Sequence, residues 1–579
     1  MPTVGRPRWR ALGELLRPDA ARWGALGLLL AVQSTLLLAG PFVVRAIVDD
    51  STAGTTAAHV TRLALLFLAI AVIAQGLAVV VAWFATITAW RTTNELRMRM
   101  ARHVLGLDHE FHRRHTPGEL IQRVDGDVTS VSDFLGLVVP KALGAALLVV
   151  GMLVALGLVD WRLAAGAVVY VLVAIMVVVR GRHRAVRESS DEMGTYATLY
   201  GGIEERLNAA EDLRANGAGT HAVWRFIEDS AAALASSVRR ERAFLSMWWA
   251  VQSSVTAGSV IALVASAALV GAGAITVGTA FLLFQYVLLL QRPLEDIVHE
   301  LETVQKANGA MVRVIDLLDV RGDVIDAGTT PPPPGPLSVG LRSVSFDYGD
   351  DETVLHDVDL HIEAGRSVGI VGRTGSGKTT FSRLVLRLVD ATSGVVSLGG
   401  VPIADIPMAE LRKRVALVPQ EVELFAGTIR DNVTLFDDGP SDEAVEDSLR
   451  HIGLGSLADG GIHRQLGAGG TGLSAGEAQL LALARVWLRQ PDVIVLDEAT
   501  ARIDPATEAA LEAAVHRLMK GRTTLVIAHR LTTLKQVDEV IVFDHGRVVE
   551  HDDRATLATS DTSRFRHLLE LSLDEEVVS

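Results

Sequence analysis

Six long apolar runs, near residues 23–47, 64–90, 136–159, 163–181, 244–271 and 276–298, dominate the first half of the chain. Each is long enough to cross a bilayer as a helix, which takes about 20 residues. One such run could be a buried core helix. Six of them, several uncharged throughout their middle, point to a membrane domain. The first is too long for a signal-peptide core and reads as an uncleaved span.

Between spans the pattern turns polar but stays helical over two long stretches, 91–135 and 185–243. About 60 residues running down and back at ~1.5 Å per residue reach ~45 Å from the membrane. Connections this long are seldom idle. Their expected tips are HRRHTPGEL at 112–120, broken by Pro117 and Gly118, and AAEDLRANGAG at 209–219. Something soluble is expected to dock there. Near the start, WRALGELL places Trp9, Leu12, Leu15 and Leu16 at helical spacing, as in a short interfacial helix.

Arginine orients the set. Arg6, Arg8, Arg10, Arg17 and Arg22 precede the first span, Arg91, Arg97 and Arg99 follow the second, and Arg180, Arg182 and Arg184 close the fourth. Arg239, Arg240 and Arg242 precede the fifth, whereas the opposite loops are short and hold few basic residues. The positive-inside rule places both termini in the cytoplasm of a multi-pass plasma-membrane protein.

From about residue 337 the charge density rises and apolar runs shorten to strand length, so a soluble domain follows the membrane domain. The expected fold is an all-α six-helix transmembrane domain followed by an α/β P-loop ATPase domain. The expected boundaries are an interfacial elbow at 1–22, the six-span domain at 23–318 and a proline-rich linker at 319–336. A nucleotide-binding domain at 337–571 and an acidic tail at 572–579 complete the chain. AGTTPPPPGP, at 327–336, reads as an extended spacer.

Composition agrees: 49% of the 579 residues are hydrophobic and the mean hydropathy is +0.32. The chain has no cysteine, which excludes disulfides, thiolate catalysis and cysteine-ligated metals. A formal net charge of −14 argues against a nucleic-acid partner.

The soluble half carries phosphate chemistry. SVGIVGRTGSGKTTFSRLVLRL reads as apolar strand, glycine loop and helix, and Gly372, Gly377, Lys378 and Thr379 fit the P-loop spacing. Backbone N–H groups along Gly372, Arg373, Thr374, Gly375, Ser376, Gly377 and Thr380 can wrap phosphate oxygens. Lys378 is expected on the β and γ phosphates and the Thr379 hydroxyl on Mg²⁺. DVIVLDE, at 492–498, is an apolar strand delivering two carboxylates to one point. Asp497 is expected to hold Mg²⁺ through water, leaving Glu498 to orient and polarise the attacking water. TTLVIAHR, at 523–530, repeats that geometry with His529 at the strand end, where open α/β sheets put their ligands.

In this combination and order, the chain resembles a half-transporter of the ATP-binding-cassette exporter family, of multidrug, lipid or peptide type, over nearly its whole length. The resemblance implies that Tyr348, in VSFDYG, stacks on adenine. It implies that Gln420, in LVPQEVELFAGTIRDN, senses Mg²⁺ and couples to the membrane domain. Asp504, in ARIDP, matches the loop that addresses the opposite site. It further implies a dimer sandwiching two ATP molecules, each between the P-loop of one chain and the signature loop of the other.

The signature departs from pattern: LSAGE stands where the family carries LSGGQ. In the family, the serine and the second glycine's N–H touch the γ-phosphate, and Ser474 and Gly476 retain both contacts. Ala475 adds a methyl that is harmful only if φ must be positive. Glu477 replaces an amide that the family places near the ribose, and adds negative charge. Ala468 stands in for a usual glutamate. The loop reads as weakened but functional. An intact Asp497, Glu498 and His529 beside an off-pattern signature favours a heterodimer, with a homodimer as the alternative.

The expected activity is ATP-driven export of an amphipathic small molecule, lipid or peptide. The alternatives are an importer of chelated metal on the exporter fold, and an ATP-binding regulatory half of a heterodimer. Ionisable residues in the spans lie near their ends, whereas Gln33, Gln75, Tyr170, Trp248, Trp249, Gln252, Ser253, Gln285 and Tyr286 are neutral and polar or aromatic. A cavity lined by these suits a weakly charged, bulky substrate.

Overall fold

The computed structural model describes residues 17–349, 353–467, 472–497, 505–528 and 531–570, together with Gly13 and Gly469. It divides into two compact units. One comprises Met1–Gly106 with His115–Val320, the other Leu107–Arg114 with Arg321–Ser579.

The first unit is helical. Among the described residues six helical segments are long and apolar enough to cross a membrane: Arg17–Thr52, Ala57–Leu105, Pro117–Val159, Trp161–Asn208, Gly219–Gly271 and Val277–Asp296. Five of them hold an expected run entire, and Val277–Asp296 covers all but the ends of the expected 276–298. Several continue far beyond bilayer length, since the polar stretches keep helical spacing and lack breakers. Two of the sharp turns between them are capped by side chains. Asp160 accepts from the Arg162 N–H at 2.8 Å and Thr276 from the Thr279 N–H at 3.1 Å. Asp127, 2% exposed, accepts a two-pronged bond from Arg313, with distances of 2.8 and 2.5 Å. That pair ties the first long hairpin to the last helix, Leu301–Asp319. The elbow at 9–16 lies outside the described residues except for Gly13.

The helical path does break within the first expected tip. The helix His109–Arg114 ends just before Pro117, which occupies the first turn of the next helix, Pro117–Ile121, capped by the Thr116 side chain, a position where a missing N–H costs nothing. One expectation needs correction. Tyr286 does not line a cavity. It is fully buried among Leu38, Leu148, Met152, Leu156 and Leu282, and its hydroxyl donates to the Leu38 carbonyl at 3.1 Å. A neighbouring backbone carbonyl satisfies the one polar atom that would otherwise need water.

The second unit is built on β-sheet. β1 (Val339–Asp347), β2 (Thr353–Ile362), β4 (Ser393–Leu398) and β5 (Val401–Pro402) make an antiparallel sheet in the order β2-β1-β4-β5. β3 (Ser367–Val371), β6 (Val415–Val418), β9 (Val493–Asp497), β10 (Thr523–Ile527), β11 (Glu539–Asp544) and β12 (Arg547–Asp553) make the main sheet, ordered β12-β11-β3-β10-β9-β6. β7 (Gly427–Thr428) and β8 (Gln465–Leu466) form a small pair. β3 and β10 are buried along their whole length, as expected of parallel strands covered on both faces. Alternate residues of β9 divide between two cores. Ile494 and Leu496 join Leu481 and Leu483 of the helix Ala475–Arg489, while Val493 and Val495 join Phe381 and Leu384 of the helix Lys378–Val385. The sheet therefore separates the P-loop helix from the signature helix.

The proline stretch is strapped down rather than free. Thr329 and Thr330 N–H groups donate to the Asp405 carbonyl, each at 2.9 Å, and Arg414 donates to the carbonyls of Pro333 and Gly335.

Candidate functional site

Strand register gathers the phosphate residues at one edge of the main sheet. Ile370 on β3, Ile527 on β10 and Asp497 on β9 are level, and Val418 on β6 is level with Leu496. The chain leaves all four strands on the same side. The P-loop follows β3, Gln420 lies just beyond β6, and Asp497 ends β9 half-buried. Parallel strands put their ligand sites at this edge.

The loop after β3 accepts only glycine at two points. Gly372 has φ +152°, and an added Cβ would stand 2.3 Å from the Phe543 carbonyl oxygen. Gly377 has φ +103°, and its Cβ would stand 2.6 Å from Leu355. Lys378, buried, folds back so that Nζ donates to the carbonyls of Gly372 at 2.6 Å and Arg373 at 3.0 Å. Ser376 Oγ is buried without a hydrogen-bond partner. Arg373, Thr374, Gly375 and Thr379 are exposed along the loop, and Thr380 is buried. A glycine-formed cradle holding a cation and an unmet hydroxyl suits a polyphosphate. A Mg²⁺ ion bound with the phosphates would draw on the Thr379 hydroxyl and the Asp497 carboxylate, the sparse protein oxygen set that leaves room for water and phosphate ligands.

At the signature, Ser474 caps the helix Ala475–Arg489. Its Oγ accepts from the Glu477 N–H at 3.2 Å, and the Glu477 carboxylate accepts from the Ser474 N–H at 2.8 Å and the Ser474 hydroxyl at 3.0 Å. Ala475 is the first residue of this helix and is not among the positive-φ positions, so its methyl is tolerated. Gly476 is buried. Gln479 Nε2 donates to the Gln420 carbonyl at 2.9 Å, linking the signature helix to the loop after β6. Glu498, Asp504, His529 and Ala468 lie outside the described residues.

Sequence reading missed the surroundings of Tyr348. Its hydroxyl lies 3.1 Å from Thr380 Oγ1 and accepts from Arg383 at 2.9 Å. The Arg113 guanidinium sits 5.2 Å from the ring centroid, and Arg114 donates to the Tyr348 carbonyl at 3.2 Å. Both arginines also bind Glu110. Arg113, then Arg114, hold the Glu110 carboxyl below its usual range against the opposing effect of burial. His109 Nε2 is buried without a hydrogen-bond partner. Burial first, and Arg383 second, push that imidazole below its ordinary value. The charged run HEFHRR was the available signal, but it names no target.

Residues 23–294 match the ABC transporter transmembrane region, and residues 355–501 match the ABC transporter family itself. An uncharacterized ABC transporter ATP-binding protein of Bacillus subtilis (strain 168), YfiC, is 30% identical over 548 residues, 91% of this chain and 88% of that one. The chain belongs to the ABC transporter family. ABC transporters hydrolyse ATP to drive transport, and this one is a membrane protein with an ATP-binding domain fused to its helical domain. An ATP-dependent lipid A-core flippase of Syntrophus aciditrophicus (strain SB) is 26% identical over 559 residues, 95% of this chain and 92% of the flippase. Another, of Chromobacterium violaceum, is 32% identical over 469 residues, 79% and 78% of the two chains. The solved structure of a bacterial Atm1-family ABC exporter with ATP bound shares the fold. Its TM-score is 0.79 at 24% identity, covering 94% of this ABC transporter and 96% of that chain.

Proposed function

We propose that this ABC transporter is one half of a dimeric exporter that moves an amphipathic, weakly charged molecule, lipid-like in character, out of the cytoplasm. The observation that carries the reading is the convergence of P-loop, Gln420 and Asp497 on one edge of the sheet. Phosphates bound there meet the P-loop amides and the Lys378 ammonium. Thr379 and Asp497 are the Mg²⁺ donors, Glu498 polarises the attacking water, and His529 and Gln420 complete the catalytic set. Tyr348 takes the adenine. Ser474 and Gly476 face the nucleotide bound on a second chain, Glu477 lies beside it, and Asp504 addresses the opposite site.

The kinship to proteins named lipid A-core flippases supports a lipid-like substrate, as do the half-buried Gln252 and Gln285 in the last two spans. Arginine placement supports cytoplasmic termini and plasma-membrane residence. The acid in the signature, beside β9 with its Asp497 intact, supports a heterodimer over a homodimer. The purified chain, reconstituted alone and then with a candidate partner half, tests the reading. Mg²⁺-dependent ATPase activity stimulated by lipids or amphiphiles, and blunted by Gln252→Ala or Gln285→Ala, is the expected result. Stimulation only by compact, strongly charged solutes overturns the substrate class, and full activity of the chain alone overturns the heterodimer.

A further inference from the structure

Tyr348 is held from several sides at once. Thr380 and Arg383 fix its hydroxyl, Arg114 fixes its carbonyl, and Arg113 lies 5.2 Å from its ring centroid, within cation–π range. The Arg113 fork is itself locked: Nε and Nη2 donate to the Glu110 carboxylate at 2.9 and 2.7 Å, and Glu110 is only 9% exposed. A guanidinium already ordered by a bidentate carboxylate loses little further freedom when it settles on a ring. All three residues of this clamp, Glu110, Arg113 and Arg114, come from the helix His109–Arg114. The segment Leu107–Arg114 that holds this helix groups with the sheet-containing unit.

We propose that Arg113 is a positioning residue for the nucleotide base. It holds the Tyr348 ring from one face, so that the opposite face is preorganised for the purine. The proposal rests on Tyr348 being the adenine platform. Phosphates, held by the P-loop, gain nothing from this clamp, so its contribution belongs to the base alone.

The test uses the full-length protein in lipid nanodiscs, with ATP and inorganic tripolyphosphate each displacing a fluorescent ATP analogue. Arg113→Ala is expected to weaken ATP about three- to tenfold while leaving tripolyphosphate unchanged, which also shows that the P-loop remains folded. Arg113→Lys, which keeps the cation but loses the two-pronged bond to Glu110, is expected to recover only part of the loss. Added to Tyr348→Ala, Arg113→Ala is expected to change nothing further. Unchanged ATP affinity in Arg113→Ala, an equal loss for both ligands, or full additivity with Tyr348→Ala overturns the proposal while the platform stands. Unchanged ATP affinity in Tyr348→Ala removes the platform itself, and the proposal with it.

Discussion

The Ser474 hydroxyl donates to the Glu477 carboxylate at 3.0 Å. The one hydrogen that the signature serine could offer a phosphate is thus engaged within its own chain, and a negative charge occupies the helix end that favours anions. Glu477→Gln keeps an acceptor for the capping box and removes the charge. It is expected to raise ATPase turnover or ATP affinity about two- to tenfold, the range of one partly screened charge contact. In a heterodimer the gain falls on the site built on the partner's P-loop. Glu477→Ala instead loses half of the box and is expected to cost stability of order 1 kcal/mol. Steady-state ATPase and thermal unfolding separate the two effects, and equal turnover in Glu477→Gln and wild type shows that the charge is not what weakens the loop.

Lys378→Ala is expected to abolish most ATP affinity at this chain's own site. Nζ is already cradled by the Gly372 and Arg373 carbonyls, so the ammonium sits at the mouth of the loop, ready to exchange those oxygens for phosphate. Nucleotide titration checks this, and wild-type affinity in the variant removes Lys378 from the site.

Glu498→Gln is expected to retain ATP and lose about 10²–10⁴-fold in hydrolysis, the usual cost of removing a general base. Asp497 ends β9 level with Ile527 of β10, and Glu498 is the next residue in the sequence. Single-turnover kinetics decide it: more than half of the wild-type rate means another group orients the water.

Glu110 sets a pH dependence. Its carboxyl is held down chiefly by its hydrogen bond to Arg113, so the folded value lies below the unfolded one. The stabilisation is therefore fully present above the ordinary glutamate value of about 4.3 and is lost only as pH falls through the lower, folded value. Between pH 8 and 7, above the ordinary histidine value of about 6.5, the protection of Leu107–Arg114 against hydrogen exchange, corrected for intrinsic rates, is expected to stay flat. Below that value it is expected to fall as the neighbouring His109, whose imidazole burial holds low, takes up a proton. Glu110→Gln is expected to lower protection between pH 8 and 7 as well, and equal protection in variant and wild type there removes Glu110 from the contact.

The legible parts of the chain were those encoded locally. Each span is a long, mostly apolar run, and the P-loop, the strand ending in Asp497 and the signature are short motifs whose partners lie within a few residues. The Ser474–Glu477 box was written in the sequence as Ser-x-x-Glu, but family precedent drew attention to the ribose instead. Arg113 on Tyr348 was not legible, because the two meet only after the first hairpin and β1 have been placed, and neither carries a mark of the other. Tyr286 was misread because a hydroxyl inside a span was assumed to need solvent, when the Leu38 carbonyl was within reach.

The end of the second hairpin supplies the last prediction. Trp224 is 68% exposed there, and Val223, Phe226 and Ile227 beside it, with Tyr200 and Leu207 on the opposing arm, are exposed as well. They flank the short helix Ala210–Ala215, far along the chain from the apolar windows that would face lipid. In the proposed orientation they lie in the cytoplasm, where a cluster of large apolar side chains marks a protein contact. The second half-transporter is the partner that the proposed dimer provides. A central aromatic in such a contact typically contributes 2 kcal/mol or more, roughly a thirtyfold change in association. Trp224→Glu is therefore expected to shift the protein towards monomer in native mass spectrometry and to lower ATPase activity about tenfold or more. Glu211→Gln, a polar change on the same tip, is expected to leave both near wild type. A Trp224→Glu protein that remains dimeric with full ATPase activity places the assembly contact elsewhere.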